Sequence, residues 1–166
     1  MSTNDLQMAI HAQMMANLCT APYAQLILQV MTRHPNTGDV HRQLIAMISY
    51  GSQMSRICGT ANSHEMIYTV TEKLFNSATI SSYAFQDEAT RLIIAMVAHA
   101  TSMARIVSDG AAEIYGTVRP IVDDIMPVNA QDLDRLKERL ESARNQISDI
   151  SHRVQMERLA RSIARR

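Results

Sequence analysis

The chain has 166 residues, 46% apolar and 19% charged, with sixteen basic side chains balancing sixteen acidic ones. That length accommodates one domain with a sizeable core, and the apolar share argues against disorder throughout. With two Phe and no Trp, but twelve Met, the core must be built from Ile, Leu, Val, Met and Ala, which suit close helix packing; five Gly and four Pro supply too few turns for an all-β chain.

The first helix is expected over residues 5–18, after a polar Ser2-Thr3-Asn4 opening that can cap it. Pro22 can begin a second helix to about Arg33, because proline fits the first helical turn. His34-Pro35-Asn36-Thr37-Gly38 reads as a loop, after which Asp39 caps a third helix to about Ile57, with Leu44, Ile45, Met47 and Ile48 facing inward. Gly59-Thr60-Ala61-Asn62 is a short turn and Ser63 caps a fourth helix, whose buried stripe is Met66, Ile67, Val70 and Leu74. Tyr68-Thr69-Val70-Thr71 has a local taste for strand, but a lone strand has no partner to pair with.

The fifth segment, residues 79–118, carries the most pattern. Ile93, Val97, Ala100, Ala104, Val107, Ala111, Ile114 and Val118 alternate gaps of four and three, a heptad seam rich in small residues. A second stripe, Ala89, Leu92, Met96, His99, Met103 and Ile106, is offset around the same helix. A helix apolar on two faces belongs in the middle of a bundle. Unbroken, it would be roughly 60 Å long at 1.5 Å per residue, with Gly110 the place for a bend.

Pro120 and Pro127 bracket an expected linker over residues 119–129 that contains Asp123-Asp124. A final helix over residues 130–164 repeats the heptad seam at Leu133, Leu136, Leu140, Ala143, Ile147, Ile150 and Val154. In register, Glu157 and Arg161 then interrupt it, and a new stripe of Met156, Leu159 and Ile163 takes over on nearly the opposite face. Asp149–Arg153 and Glu157–Arg161 are spaced for ion pairs along this helix. The fold expected is therefore all-α: a multi-helix bundle with a long central helix, arranged as a helical body (1–118), the linker (119–129) and a basic, coiled-coil-like terminal helix (130–166).

Charge is unevenly placed. Residues 131–166 hold nine Lys/Arg and six Asp/Glu, a balance of +3, which leaves seven against ten, or −3, for the remainder. Such polarity favours charge pairing between molecules or an acidic partner for the tail. Cys19 and Cys58 have no disulfide-scaffold spacing, the first residues lack the pattern of a secretion signal, and the most apolar window, Leu92 to Val107, contains His99 and Arg105 and cannot span a bilayer. Location in the cytoplasm, or in a particle assembled inside a cell, is the expectation.

Catalytic signals are weak. Six histidines are scattered, and no HExxH, paired CxxC, acidic calcium loop, GxSxG elbow, P-loop or GxGxxG is present. No cofactor, metal or catalytic residue is expected. His99 reads as a hydrogen-bonded core histidine, and Cys58 near His64 reads as an inert buried thiol rather than half of a catalytic pair.

Two readings of function remain. In the first, a non-enzymatic structural, assembly or adaptor protein, such as a particle-shell subunit or scaffold, is a homo-oligomer that associates through its seams at Ile93, Val97, Ala100, Ala104, Val107, Leu133, Leu136, Leu140, Ile147, Ile150 and Val154. In the second, nucleic acid is bound by a helix-turn-helix-like segment over residues 40–76 or by Arg158, Arg161, Arg165 and Arg166. Residues 39–76 hold three basic and three acidic side chains, whereas a module gripping phosphates carries a basic excess.

Overall fold

The computed structural model describes residues 3–33, 38–125 and 128–165. The described residues form seven α-helices and no strands: α1 (Thr3–Leu18), α2 (Ala21–Arg33), α3 (Gly38–Cys58), α4 (Ala61–Ser77), α5 (Tyr83–Ile106), α6 (Ala111–Asp123) and α7 (Ala130–Ala164), with a 3-10 turn at Ser108–Gly110 between α5 and α6. The all-α class therefore stands, and the β-branched run at 68–71 is helical inside α4. The expected loop residues His34, Pro35, Asn36 and Thr37 lie outside the described residues, as do Met126, Pro127 and Arg166.

Several helix ends have identifiable local causes. The chain leaves α3 through Gly59, whose φ of +71° is the left-handed conformation that glycine adopts without a Cβ penalty. The guanidinium of Arg105 reaches across from α5 to donate to the Cys58 carbonyl, satisfying one of the acceptors orphaned at that helix end. Entry into α4 is a capping box. The Ser63 backbone N–H donates to Thr60 Oγ1 at 3.1 Å, and the Thr60 N–H donates back to Ser63 Oγ at 3.2 Å. Thr60, not Ser63, is thus the capping residue. Asp39 likewise sits inside the first turn of α3, where a carboxylate complements the helix dipole.

The largest departure from the expected fold lies in the fifth segment. One helix over 79–118 does not form; the helix stops at Ile106, turns through Ser108–Gly110, and α6 runs back along α5. Tyr115 and Thr101, on opposite sides of the turn, are brought within 3.3 Å, the Tyr115 hydroxyl donating to Thr101 Oγ1. Gly110 does mark the reversal. A Cβ there would approach the Ile150 and Val154 methyls of α7 to 3.0 Å, so the turn depends on a close approach that only glycine leaves undistorted. The expected linker is shorter than 119–129, because α6 runs through Pro120 to Asp123. Proline is tolerated here, in the last turn, because it withdraws only a single N–H and the neighbouring Lys73 ammonium donates to the Val122 and Asp123 carbonyls at the helix end.

Packing follows chain order. α1 rests on α2 and α3, α3 on α4 and α5, α4 on α5 and α6, and α7 on α5, α6 and the 3-10 turn. The molecule is a stack of short-linked helical hairpins with α1 at one end and α7 at the other. One continuous core runs through it, from Ala12 and Ala16 through Leu44, Ile48, Met66, Val70, Ile93 and Val97 to Ile147 and Val154. The inward residues expected for α3 and α4 are all buried. Gly51 sets one of the closest helix approaches, since a Cβ there would lie 2.5 Å from Thr71 Oγ1 and 3.2 Å from the Tyr23 ring. No helix among the described residues is long and apolar enough to cross a membrane.

Candidate interaction surfaces

Both heptad seams are real apolar stripes, and both are used up inside the chain. Ile93, Val97, Ala100, Ala104 and Val107 are buried on α5 and its end, facing neighbours in the same molecule. Leu133, Leu136, Leu140, Ile147 and Val154 are buried along α7 against α5 and α6, with Ile150 packed partly buried beside them. Within one chain, ten of these eleven residues are buried and Ile150 is half-buried. The reversal at 107–110 supplies an extra helix, α6, and with it the cover that the single long helix would have lacked.

Three arginines of the α7 end, Arg153, Arg158 and Arg161, are engaged within the chain. Arg158 donates to the Ile106 carbonyl at 3.1 Å, so it caps the end of α5, and both Arg158 and Arg161 lie within ion-pair distance of Asp109, at 3.5 and 3.2 Å. Arg153 pairs with Glu113 at 2.6 Å and with Glu157 at 3.5 Å. The expected Asp149–Arg153 and Glu157–Arg161 pairs give way to these contacts, because the 3-10 turn and the start of α6 bring Asp109 and Glu113 opposite the tail. The hydrogen bond and charge of Glu113 hold the Arg153 guanidinium protonated even more firmly than usual. Arg165 lines the same shallow surface with Ser162; Arg166 lies outside the described residues.

The helix-turn-helix-like segment is α3 and α4, but α4 is embedded rather than presented. It is packed against α3, α5 and α6. Its only fixed cation, Lys73, is engaged by the α6 carbonyls, and its exposed Glu65 is paired with Arg119 at 3.0 Å. Over Ala61–Ser77 the fixed charges are Lys73, Glu65 and Glu72.

Burial pushes the Cys58 thiol up from its ordinary range, only partly opposed by the Arg105 guanidinium, while His64 is exposed on α4. A thiol held protonated is a poor nucleophile. His99, at the contact of α5 with α7, has its pKa lowered by burial first and by the Arg144 charge second. Among the described residues no group of three His, Cys, Asp or Glu side chains is arranged to hold a metal ion.

Among the described residues, two rows of large apolar side chains are left bare, one on α1 and one near the end of α7. On α1, Leu6, Ile10, Met14 and Leu18 are between 52% and 66% exposed, whereas Met8, Ala12 and Ala16 on the opposite side are buried. The helix is apolar on both sides and covered on one. Its bare side is also uncharged: no Lys, Arg, Asp or Glu occurs between Asp5 and Arg33. The four large residues stand at successive i+4 positions along α1, with no heptad accompanying them. On α7, Met156, Leu159 and Ile163 are 50–61% exposed. Residues 155–164 extend beyond the body, with Arg158 and Arg161 turned toward the 3-10 turn and the apolar stripe turned away from it.

Compared with models of protein families, with curated proteins and with solved structures, the chain matches none.

Proposed function

We propose that this chain is a non-enzymatic assembly or adaptor protein, such as a particle-shell subunit or scaffold, that works through helix-mediated contacts with other protein surfaces. The bare, uncharged face of α1 is the observation that supports this reading most directly. Exposed apolar side chains scattered singly are ordinary, but a contiguous row is a feature of interaction sites. Depletion of charge is the compositional mark of an interface centre. A stack of helical hairpins also needs a polar outer face at each end to stop it recruiting a further layer, and α1 does not supply one.

The chemistry of the remaining surface fits the same reading. Asp109, Glu113 and Glu157 offset three of the five arginines from Arg153 to Arg166 within the chain, which halves the basic excess available to a nucleic-acid partner. The two cysteines are unpaired, which accords with assembly in a reducing compartment.

Native mass of the purified full chain, measured by sedimentation from low to high micromolar concentration together with identification of co-purifying molecules, tests the proposal. An oligomer or a stoichiometric protein complex is the expected result. A strict monomer that captures no protein, or a salt-sensitive complex with nucleic acid in its place, would refute it.

A further inference from the structure

Where the end of α7 passes the 3-10 turn, Arg158, Arg161, Ser162 and Arg165 fall at i, i+3, i+4 and i+7, on one side of the helix. With Asp109 they line a shallow hollow of about 620 Å³. We propose that this hollow binds the dianion of a phosphate group, free or carried on a small phosphomonoester, between the Arg161 and Arg165 guanidiniums.

The donors there are only partly used. All three nitrogens of Arg158 are engaged: Nε donates to Asp109, Nη1 to the Ile106 carbonyl and Nη2 to Ser108 Oγ, at 3.5, 3.1 and 3.4 Å. That side chain is a fixed wall. Arg161 gives only Nη2 to Asp109, at 3.2 Å, which leaves the hydrogens on its Nε and Nη1 to be taken. Among the described residues nothing accepts from the Arg165 guanidinium or bonds the Ser162 hydroxyl. A guanidinium presents its five N–H groups as a planar fork that takes phosphate oxygens two at a time.

Charge and shape select the ligand. Three guanidiniums line the hollow with one carboxylate, an excess of two positive charges; Glu113 and Glu157 are engaged by Arg153 instead. The C-terminal dipole of α7 offsets roughly half a charge of that excess. A phosphomonoester carries about −1.5 to −2 at pH 7, so one group matches what remains, whereas a single carboxylate or chloride does not. Its oxygens diverge tetrahedrally and can meet two forks and a hydroxyl that share no plane. Arg158 and Arg161 keep 39% and 56% of their side-chain surface exposed, so the site is wet and its affinity should fall with added salt.

The test titrates inorganic phosphate, and separately glycerol 3-phosphate, with the full chain at low ionic strength, followed by phosphorus NMR. One saturable site per chain is expected, from which sulfate, another tetrahedral dianion, displaces phosphate and acetate at equal ionic strength does not. Arg165→Gln should weaken binding at least about tenfold at an unchanged urea midpoint, because that side chain holds nothing within the chain, and Arg165→Lys should restore part of the loss. Arg144→Gln removes the same charge from an exposed position further back on α7 and should leave binding unchanged. Equal losses in the Arg165→Gln and Arg144→Gln variants, or equal competition by acetate, would reduce the site to diffuse charge and overturn the proposal. So would a chain that ignores both small phosphates and responds only to an oligonucleotide or to vesicles containing phosphatidic acid. Binding of inorganic phosphate without glycerol 3-phosphate would support the site and narrow its ligand to the free ion.

Discussion

The two ends of the stack handle the same problem in opposite ways. Along α7, from Gln131 to Arg153, every exposed side chain is polar or charged, and every buried one except Ser151 is Leu, Ala or Ile. Over that stretch α7 is finished: apolar side inward, polar side outward. At α1 the inward side is finished by Met8, Ala12 and Ala16, but the outward side repeats an apolar ridge and carries no charge. The contrast teaches that amphipathic strength and availability for a partner are separate properties. The helix with the most regular seam has nothing left to offer along most of its length, and the helix with the least one-sided pattern has the most exposed apolar surface.

Truncating the same residue type at each end gives the largest expected difference. Ile147→Ala removes a fully buried side chain and should lower unfolding free energy by about 2–5 kcal/mol, measured as a drop in urea midpoint at unchanged slope. Ile10→Ala, on the bare side of α1, should change monomer stability by no more than about 0.5 kcal/mol. If the two variants were equally damaging, α1 would have a hidden partner in its own chain and the contrast would fail.

Next in size is Gly110→Ala. Its Cβ would press on the Ile150 and Val154 methyls, and overpacking of that kind costs about 1–3 kcal/mol. Loss of stability together with faster hydrogen exchange in α7 would show that the reversal between α5 and α6 is what seats the capped end. An unaffected protein would mean that the turn gives way easily.

A smaller effect is expected with pH, because His99 is only half-buried. Its folded-state pKa lies below the unfolded value, so the unfolded chain takes up the proton more readily. The stability held by neutral His99 is fully present above the unfolded pKa of about 6.5, and is lost as pH falls from there toward the lowered folded value. Urea midpoints measured between pH 8 and pH 5 should fall less in His99→Gln than in the parent; parallel curves would discount the contact of α5 with α7 as the source.

Smallest is Asp109→Asn at the tail. The ion pairs with Arg158 and Arg161 are solvent-exposed, and such pairs are worth about 0.2–1 kcal/mol. A modest loss at low ionic strength that vanishes in 1 M salt is the expected signature. A loss that persists in salt would show that the Asp109 contacts are more than screened charge.

Reading the chain from its residues alone reached the helical class, the inward stripes of α3 and α4, the limits of α7 and the special place of Gly110. Each of these rests on interactions within a few turns: capping groups, propensity and apolar spacing act locally, so they are written locally. What escaped that reading was the role of the seams. Heptad spacing says that a side must be covered, and it is silent on whether the cover comes from the same chain. The four-residue reversal at 107–110 decided that, by folding α6 back to cover what one long helix would have exposed. The same reversal put Asp109 and Glu113 opposite Arg153, Arg158 and Arg161, turning a basic tail into an internal set of ion pairs.

The α1 ridge shows the other side of this. Its four residues are plain in the sequence, but their meaning is not, because both sides of α1 are apolar and periodicity alone cannot say which one the core takes. Local patterning determined that this protein would be helical and where most of its helices would run; only the stacking order, with α1 and α7 left as the two outermost layers, decided which apolar sides were satisfied at home and which still lack a neighbour. The physical reason is that burial is a property of pairs of helices, and which pairs form depends on chain reversals whose geometry is set by contacts far apart in sequence.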